Sequence, residues 1–406
     1  MTIVGGTTYA VEEEPLVLAL NAGSSTLKFA IYAGKDGRER RVARGDVDRI
    51  GIGGGTAVLT VGTVRHERPA ACPDHAAALA VAFRLLEETG LHGLRIVGHR
   101  VVHGGRDHVA PASIDASLIE SLRSLVPLAP LHLPAAIAGI EAAAARFPGL
   151  PQIACFDTAF HASLPELAWR LPLPEWVCAL GVRKYGFHGL SYEYVMSTLP
   201  PPVPGRIVIA HLGNGASLVA VRDGRAIDTT MGLTPTGGVP MGTRTGDLDP
   251  GVMLYLARER RLSSDELEHL VTREAGLVAI GGTSDMKTLT KQSPHDPAAA
   301  LAVEMFAYGV RKAIGSLTAC LGGIDLLVFT VGIGEHAPAV RALACRGLDA
   351  FGIKLDPARN TAGEPVISDP DSPCSVRVVA TDEDMVIARH AHAFLATSGS
   401  PSNAGA

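Results

Sequence analysis

Cysteine is sparse. The 406 residues carry six, at positions 72, 155, 178, 320, 345 and 374, and no two form a C-x-x-C pair. Scattered thiols exclude a disulfide framework and a cysteine-based zinc site; they predict buried thiols in a reducing cytoplasm. No stretch reaches the ~18 uncharged apolar residues that would span a bilayer. The opening MTIVGGTTYAVEEEP has neither the basic start nor the apolar run of a secretory leader. Excess charge is also missing: 36 Lys and Arg against 41 Asp and Glu leave −5. That balance excludes a general nucleic-acid or anionic-membrane surface, so an anionic ligand must be held by local cations. There is no G-x-x-x-x-G-K-[ST], which excludes a P-loop enzyme.

What remains is a chain built for sizeable cores, with 47% hydrophobic and 19% charged residues. At ~100–200 residues per domain the length predicts two or three domains. Residues 16–20 (LVLAL) read as a buried strand, NAGSS as a turn and TLKFAIY as a second strand. A turn at Lys35-Asp36-Gly37 leads to a third, ERRVARGDVD. Residues 74–90 open on the capping Asp74, keep Ala/Leu spacing and close on Gly90, which predicts a helix. LRIVGHRVVHGG and PQIACFD read as further strands, with helices over 113–126 and 134–146. Beyond the Pro-rich spacer LPPPVPG, RIVIAHLG and NGASLVAVRDGRAIDTT repeat the opening order of strand, Gly turn, strand, Asp-Gly turn, strand. Helices follow at 252–260, 263–275 and 297–321. After them come the strand IDLLVFTV, a glycine turn GIGEH, a helix over APAVRALACRGLDAFG, and a last strand and helix in VRVVATDEDMVIARHAHAFLA. Strands alternating with helices predict an α/β fold with buried sheets. The repeated meander points to a duplication, although such meanders are also common by themselves.

Several apolar strands end in glycine-rich turns: Asn21–Ser25, His211–Gly215 and Gly332–Glu335. Without a Cβ, backbone N–H groups can approach an oxyanion, and successive N–H groups form anion-binding concavities. Gly332-x-Gly334-x-x-Ala337 also fits a relaxed dinucleotide fingerprint, which leaves a nicotinamide enzyme as a rival. Arg244 sits among glycines in MGTRTGDLDPG, and Arg100 ends a buried strand in GHRVVHGG. Either is a surface ion-pair partner or a clamp on phosphate or carboxylate oxygens. Asp157 ends the strand IACF and Glu383 opens the last helix. Each serves as a cap, or both join the Asn21 oxygen in holding one Mg²⁺. His188 and His211 stand in glycine turns beside apolar strands, where packing and catalysis are equally served.

Together NAGSSTLKF, GHRVVHGG, FDTAFH, KYGFHG, HLGNGAS, MGTRTGDLDPG, GIGEH and TDED keep one order over residues 16–386. In this the chain resembles the acetate kinase family with its propionate kinase relatives, part of the superfamily of actin, sugar kinases and chaperone ATPases. The resemblance implies a duplicated actin-like (ribonuclease H-like) fold, two domains around a nucleotide cleft. The first would span 1–158 and be completed by a C-terminal helix over 384–397. The second would span 159–383 and carry the nucleotide motifs, and 398–406 would be a disordered tail. It implies a homodimer, ATP and ADP as co-substrates, Mg²⁺ or Mn²⁺ as metal, and acetate or another short carboxylate as acceptor.

The same resemblance implies residue roles. Asn21 and Glu383 would be metal ligands, with Asp157 near the metal or the reacting carboxylate. Arg100 would grip the acceptor carboxylate; Arg244 and His188 would stabilise the moving phosphoryl group. Lys28, the run His211, Leu212, Gly213, Asn214, Gly215, and the run Gly332, Ile333, Gly334, Glu335, His336 would contact ATP. Asp285, Met286 and Lys287 match the adenosine motif. Val102, Leu131, Phe187 and Pro235 match the acyl pocket. The chain departs from the family pattern at Lys287, where arginine is usual, and at His336, where asparagine is usual. It departs also at Thr236-Gly237-Gly238 and Leu133-Pro134, which flank the acyl pocket. Two other activities compete: a propionate or other short-chain acyl kinase, and a non-catalytic actin-like ATPase clamp.

Overall fold

The computed structural model describes residues 2–4, 7–9, 14–23, 25–34 and 37–398. The turn expected at Lys35-Asp36, Ser24 of the NAGSS turn, and the expected tail from residue 399 lie outside the described residues. Residues up to Ala159, joined by those from Asp382 on, form one compact unit; Phe160–Thr381 form the second.

Beyond a small pair, β1 (Thr2–Val4) and β2 (Thr7–Tyr9), the first unit has strands β3 (Leu16–Ala22), β4 (Leu27–Ala33), β5 (Arg40–Val47), β6 (Thr56–Val61), β7 (Val64–Pro69), β8 (Leu94–Val101), β9 (Ala112–Ser113) and β10 (Gln152–Phe156). They lie in the order β7-β6-β5-β4-β3-β8-β10-β9. The meander β3-β4-β5 is antiparallel, while β3, β8 and β10 run parallel. Continuous apolar runs explain the middle of the sheet: the first five residues of β3 and all of β10 are buried, as expected for strands covered on both faces. The edge strand β7 (VRHERP) alternates half-buried with exposed residues and keeps charge on the edge. Helix His75–Glu88 starts where Asp74 accepts the Ala77 N–H, as expected. Helix Glu383–Ser398 packs on β3 and β8. A Cβ at Gly98 would run into Ile387 of that helix, so glycine is what lets it sit close.

The second unit has β11 (Arg206–Leu212), β12 (Ala216–Arg222), β13 (Arg225–Thr229), β14 (Leu326–Thr330) and β15 (Ser375–Val378), in the order β13-β12-β11-β14-β15. An antiparallel meander again carries two parallel strands beside its first strand. This is the order and sense of β5-β4-β3-β8-β10, so the repeat seen in the sequence is a structural duplication. Helix Pro297–Leu321 runs from the cap Asp296 to the left-handed Gly322 and buries Ala299, Ala302, Val303, Phe306, Val310, Ile314 and Leu317 at helical spacing.

Three expectations fail. GIGEH is not an open turn: Val331–His336 is a short helix starting directly from β14, with Glu335 Oε1 accepting the Val331 N–H at 2.7 Å. Its glycines therefore lie inside a helix, not in the open turn between strand and helix on which a dinucleotide fingerprint begins. The helix expected over 337–352 stops at Cys345, because Gly347 turns left-handed. The helix expected over 263–275 does form, α-helical over Ser264–His269 and π-helical over Leu270–Glu274. Finally, the buried-thiol expectation fails at Cys320, which is exposed, while the other five thiols are buried.

Candidate active site

In the first unit, three parallel strands deliver polar groups at their carboxyl ends, the edge where open α/β sheets bind ligands. Asn21 is the next-to-last residue of β3, Arg100 the next-to-last of β8, and Asp157 lies directly after β10, its N–H bonded to Val101 O at 3.0 Å. Arg100 binds Asp157 with two nitrogens, at 3.0 Å and 2.6 Å, and reaches Asn21 Oδ1 at 3.3 Å. It also pairs with Glu383 Oε2 at 3.2 Å. Burial opposes the Arg100 charge, but Asp157 and Glu383 outweigh it and hold the guanidinium well above its ordinary value. Asp157 is itself 1% exposed. Burial pushes its carboxyl up against the pull of Arg100, and Glu383 adds to the push.

Lys28 stands opposite Asn21 in the β3–β4 ladder and so shares its face. Asp384, beside Glu383, is pushed up to about 7 by burial and by the charges of Asp382 and Glu383. Its Oδ1 is buried without a hydrogen-bond partner. The cluster is thus rich in hard oxygen donors and holds more acid than base. Among the described residues no group of three or more His, Cys, Asp and Glu side chains converges to hold a metal. Mg²⁺ does not need one, since it keeps waters and takes one or two carboxylates plus substrate phosphates. Asn21, Glu383 and the unrelieved negative charge fit such an ion.

In the second unit the polar groups gather at the end of β11. His188 caps the helix Gly189–Thr198 in the left-handed region, at φ 61°. Its ring stacks on His211 with centroids 3.9 Å apart and planes 8° off parallel. His188 Nδ1 lies 2.8 Å from Ser217 Oγ, and Tyr192 OH lies 2.5 Å from the same oxygen. A Cβ added at Gly215 would come within 3.3 Å of His188 Nε2 and 3.5 Å of an Arg244 guanidinium nitrogen. Glycine there leaves both groups room beside bare backbone.

The loop that carries Arg244 is wedged in place. Met241 N–H bonds Arg244 O at 3.1 Å, and Thr245 N–H bonds Val271 O at 3.2 Å. Gly276, at φ +70°, passes so close to Met241 O and the Arg244 backbone that no Cβ fits. The Arg244 guanidinium donates to Pro235 O at 2.9 Å, and among the described residues no carboxylate pairs with it. Burial, reinforced by the Arg273 charge, pulls it down to about 10.

Leu212 and Gly213 are buried and Asn214 is exposed. Asn214 O accepts the Gly242 N–H at 3.2 Å, and Gly213 N–H bonds Gly215 O at 3.0 Å. Gly332, Ile333, Gly334 and Glu335 form the short helix after Val331, a β-branched residue held at φ 65°. Such strain marks a site where surrounding structure dictates the backbone. His336 ends that helix and is exposed. Asp285 uses its carboxylate to cap helix Met286–Gln292, accepting the N–H groups of Lys287 and Thr288; Met286 is buried and Lys287 exposed. Val102 and Phe187 are buried; Leu131 and Pro235 are half-buried.

Sequence reasoning missed three residues. Ser217 was inside the HLGNGAS motif without a role. Tyr192 is one helical turn beyond His188, a spacing that could have flagged it. Arg341 is 1% exposed, yet fully engaged: it donates to Gly334 O at 2.9 Å, Glu335 O at 2.8 Å and Asn360 Oδ1 at 2.8 Å. It clamps the end of the Val331–His336 helix, and nothing in the sequence separates it from a surface arginine.

A duplicated meander-and-parallel-strand fold, with polar groups at matching strand ends, defines the actin-like ATPase class. Within it the pattern of the acetokinase family matches residues 16–389. An acetate kinase of Rhodopseudomonas palustris is 45% identical over 390 residues, covering 92% of this chain and 97% of its own length. The chain belongs to the acetokinase family. Among solved structures, acetate kinase of Porphyromonas gingivalis matches with a TM-score of 0.83 at 34% identity, over 94% of this chain and 100% of its own. A propionate kinase of Francisella tularensis matches with a TM-score of 0.87 at 34% identity, over 93% of this chain and 98% of its own.

Proposed function

We propose that this chain is an acetate kinase, transferring the γ-phosphoryl group of ATP reversibly and directly to acetate, with ADP and acetyl phosphate as products. The observation that carries the reading is Arg244, a partly buried cation beside His188 and Gly215 with no carboxylate to neutralise it among the described residues. Such a charge suits an anion that arrives and departs.

A free carboxylate is already ionised near neutral pH and needs no general base. The barrier is electrostatic, because two anions must meet. Arg100 grips the acceptor carboxylate, exchanging part of its present pairing with Asp157 and Glu383. Arg244 and His188 donate to the phosphoryl oxygens as charge redistributes over them. Asn21 and Glu383 would hold Mg²⁺, or Mn²⁺, which supplies charge neutralisation at the phosphates. Asp157 positions Arg100 rather than taking a proton. The glycine backbone at 213–215 and 332–334 approaches the ATP phosphates, and Lys28 adds positive charge beside Asn21. Asp285, Met286 and Lys287 lie on the adenosine side, with Asp285 shaping the helix that carries them. Val102, Leu131, Phe187 and Pro235 take the acyl methyl group.

A homodimer in the cytoplasm completes the reading. Leu301, Met305 and Tyr308 recur at one helical spacing on helix Pro297–Leu321 and are each more than two-fifths exposed, as suits a face covered by a second copy. No helix among the described residues is long and apolar enough to cross a membrane. Propionate is the second reading, favoured by the match to a propionate kinase and by Thr236-Gly237-Gly238 next to Pro235.

Trapping acyl phosphate as the hydroxamate, with acetate, propionate and butyrate in parallel, tests both. The highest kcat/KM with acetate is expected. A clear preference for propionate would replace acetate with the second reading, and no product with any of the three would remove the activity.

A further inference from the structure

We infer that Ser217 and Tyr192 are positioning residues that place the His188 proton on Nε2, so that this imidazole meets the transferring phosphoryl group as a neutral donor. The inference rests on the phosphotransfer reading above for its purpose, but not for its geometry.

One interior hydroxyl and one ring nitrogen meet at the oxygen of a second hydroxyl. Ser217 Oγ is 2.8 Å from His188 Nδ1 and 2.5 Å from Tyr192 OH. Ser217 and Tyr192 are both 0% exposed, so this arrangement is a feature of the core. A serine hydroxyl has one proton to give and lone pairs to accept with. A phenol is the stronger donor of the two hydroxyls, so Tyr192 donates to Ser217 Oγ. Ser217 then donates its own proton to Nδ1. A neutral imidazole that accepts at Nδ1 carries its hydrogen at Nε2.

Secondary structure fixes all three partners. Tyr192 is one turn along the helix that His188 caps, and Ser217 pairs with His211 across the β11–β12 ladder. The stacked His211 ring holds the plane of His188, with centroids 3.9 Å apart. Nε2 therefore points where the chain has stripped away bulk: His188 Nε2 and an Arg244 nitrogen both lie within 3.5 Å of where a Gly215 Cβ would be. Two N–H donors there suit phosphoryl oxygens, which only accept. The opposite tautomer would aim a lone pair at them. A protonated ring would set a second cation beside Arg244, which already has no carboxylate partner among the described residues.

Long-range ¹H–¹⁵N correlation on ¹⁵N-histidine-labelled full-length protein reads the tautomer without any catalysis. The wild type is expected to show His188 protonated at Nε2 and accepting at Nδ1. Ser217→Ala and Tyr192→Phe should each shift His188 toward a mixture, with kcat lower by ~10-fold or more and both KM values within about threefold. Ser217→Thr keeps the hydroxyl and should restore the tautomer and most of kcat. Wild-type His188 protonated at Nδ1 would overturn the inference, as would Ser217→Ala with an unchanged tautomer and unchanged kcat. If the wild type makes no acyl phosphate, the proposed activity fails, while the tautomer still decides the hydrogen-bond relay.

Discussion

The two units each place one arginine at a polar cluster, and they treat it in opposite ways. Arg100 is surrounded by acid, bound to Asp157 by two nitrogens and paired with Glu383 at 3.2 Å. Its charge is stabilised before any ligand arrives. Arg244 bonds a carbonyl, 2.9 Å away, and a thioether, and burial works against its charge. The first arrangement is a pre-set grip whose strength is tempered by its own counterions. The second stores unsatisfied positive charge, which becomes useful only when negative charge comes to it. A duplicated fold has thus kept strand order while setting its two arginines in opposite electrostatic surroundings.

The largest effect should come from Arg244. Arg244→Ala should lower kcat by ~10²–10⁴-fold, the range of single electrostatic stabilisers, with ATP affinity changed far less. Equal losses in kcat and ATP binding would erase the distinction between the two arginines. Arg100→Ala should act differently. It should raise the carboxylate KM, and by leaving Asp157 charged and buried it should also destabilise the first unit by ~3–5 kcal/mol in urea unfolding. A shift in the ATP KM alone would move Arg100 out of its assigned role.

Each unit also buries a histidine whose proton affinity is lowered by that burial, His99 in the first and His161 in the second. Burial pulls both His99, hydrogen-bonded to Gln152, and His161, hydrogen-bonded to Phe187 O, down to about 4. The unfolded chain binds these protons near pH 6.5, so both histidines favour the fold above that value. That contribution is lost as pH falls toward 4. Roughly 3 kcal/mol per histidine is at stake. Urea titrations at pH 7 and pH 5 should show the loss, and His99→Gln should remove only the share that belongs to the first unit. The smallest effect is expected at Gly276→Ala, where a Cβ has no room and φ is left-handed. About 1–3 kcal/mol of strain should appear together with reduced kcat, since the Arg244 loop must shift. An unchanged kcat would mean that the loop does not need its present position.

Much of this division was legible in the sequence. Arg100 and Asp157 showed themselves because charged residues at the ends of apolar strands are out of place unless they bind something. The repeated run of strand, Gly turn and strand revealed the duplication. Local pattern failed where a distant contact decides. The hairpin β6–β7 went unread, because its turn has one glycine and its outer strand is polar. GIGEH reads as a turn from its glycines, but Glu335 caps the Val331 N–H and winds it into a helix. Ser217, Tyr192 and Arg341 are ordinary residues in sequence. Only the approach of a second segment gives each of them its partners.

The most direct test of the whole account follows the label from [γ-³²P]ATP, with and without acetate. Label should move to the carboxylate as acyl phosphate, and without acetate ATP should stay largely intact. Release of the label as inorganic phosphate at the same rate in both mixtures would contradict it and restore the ATPase-clamp reading.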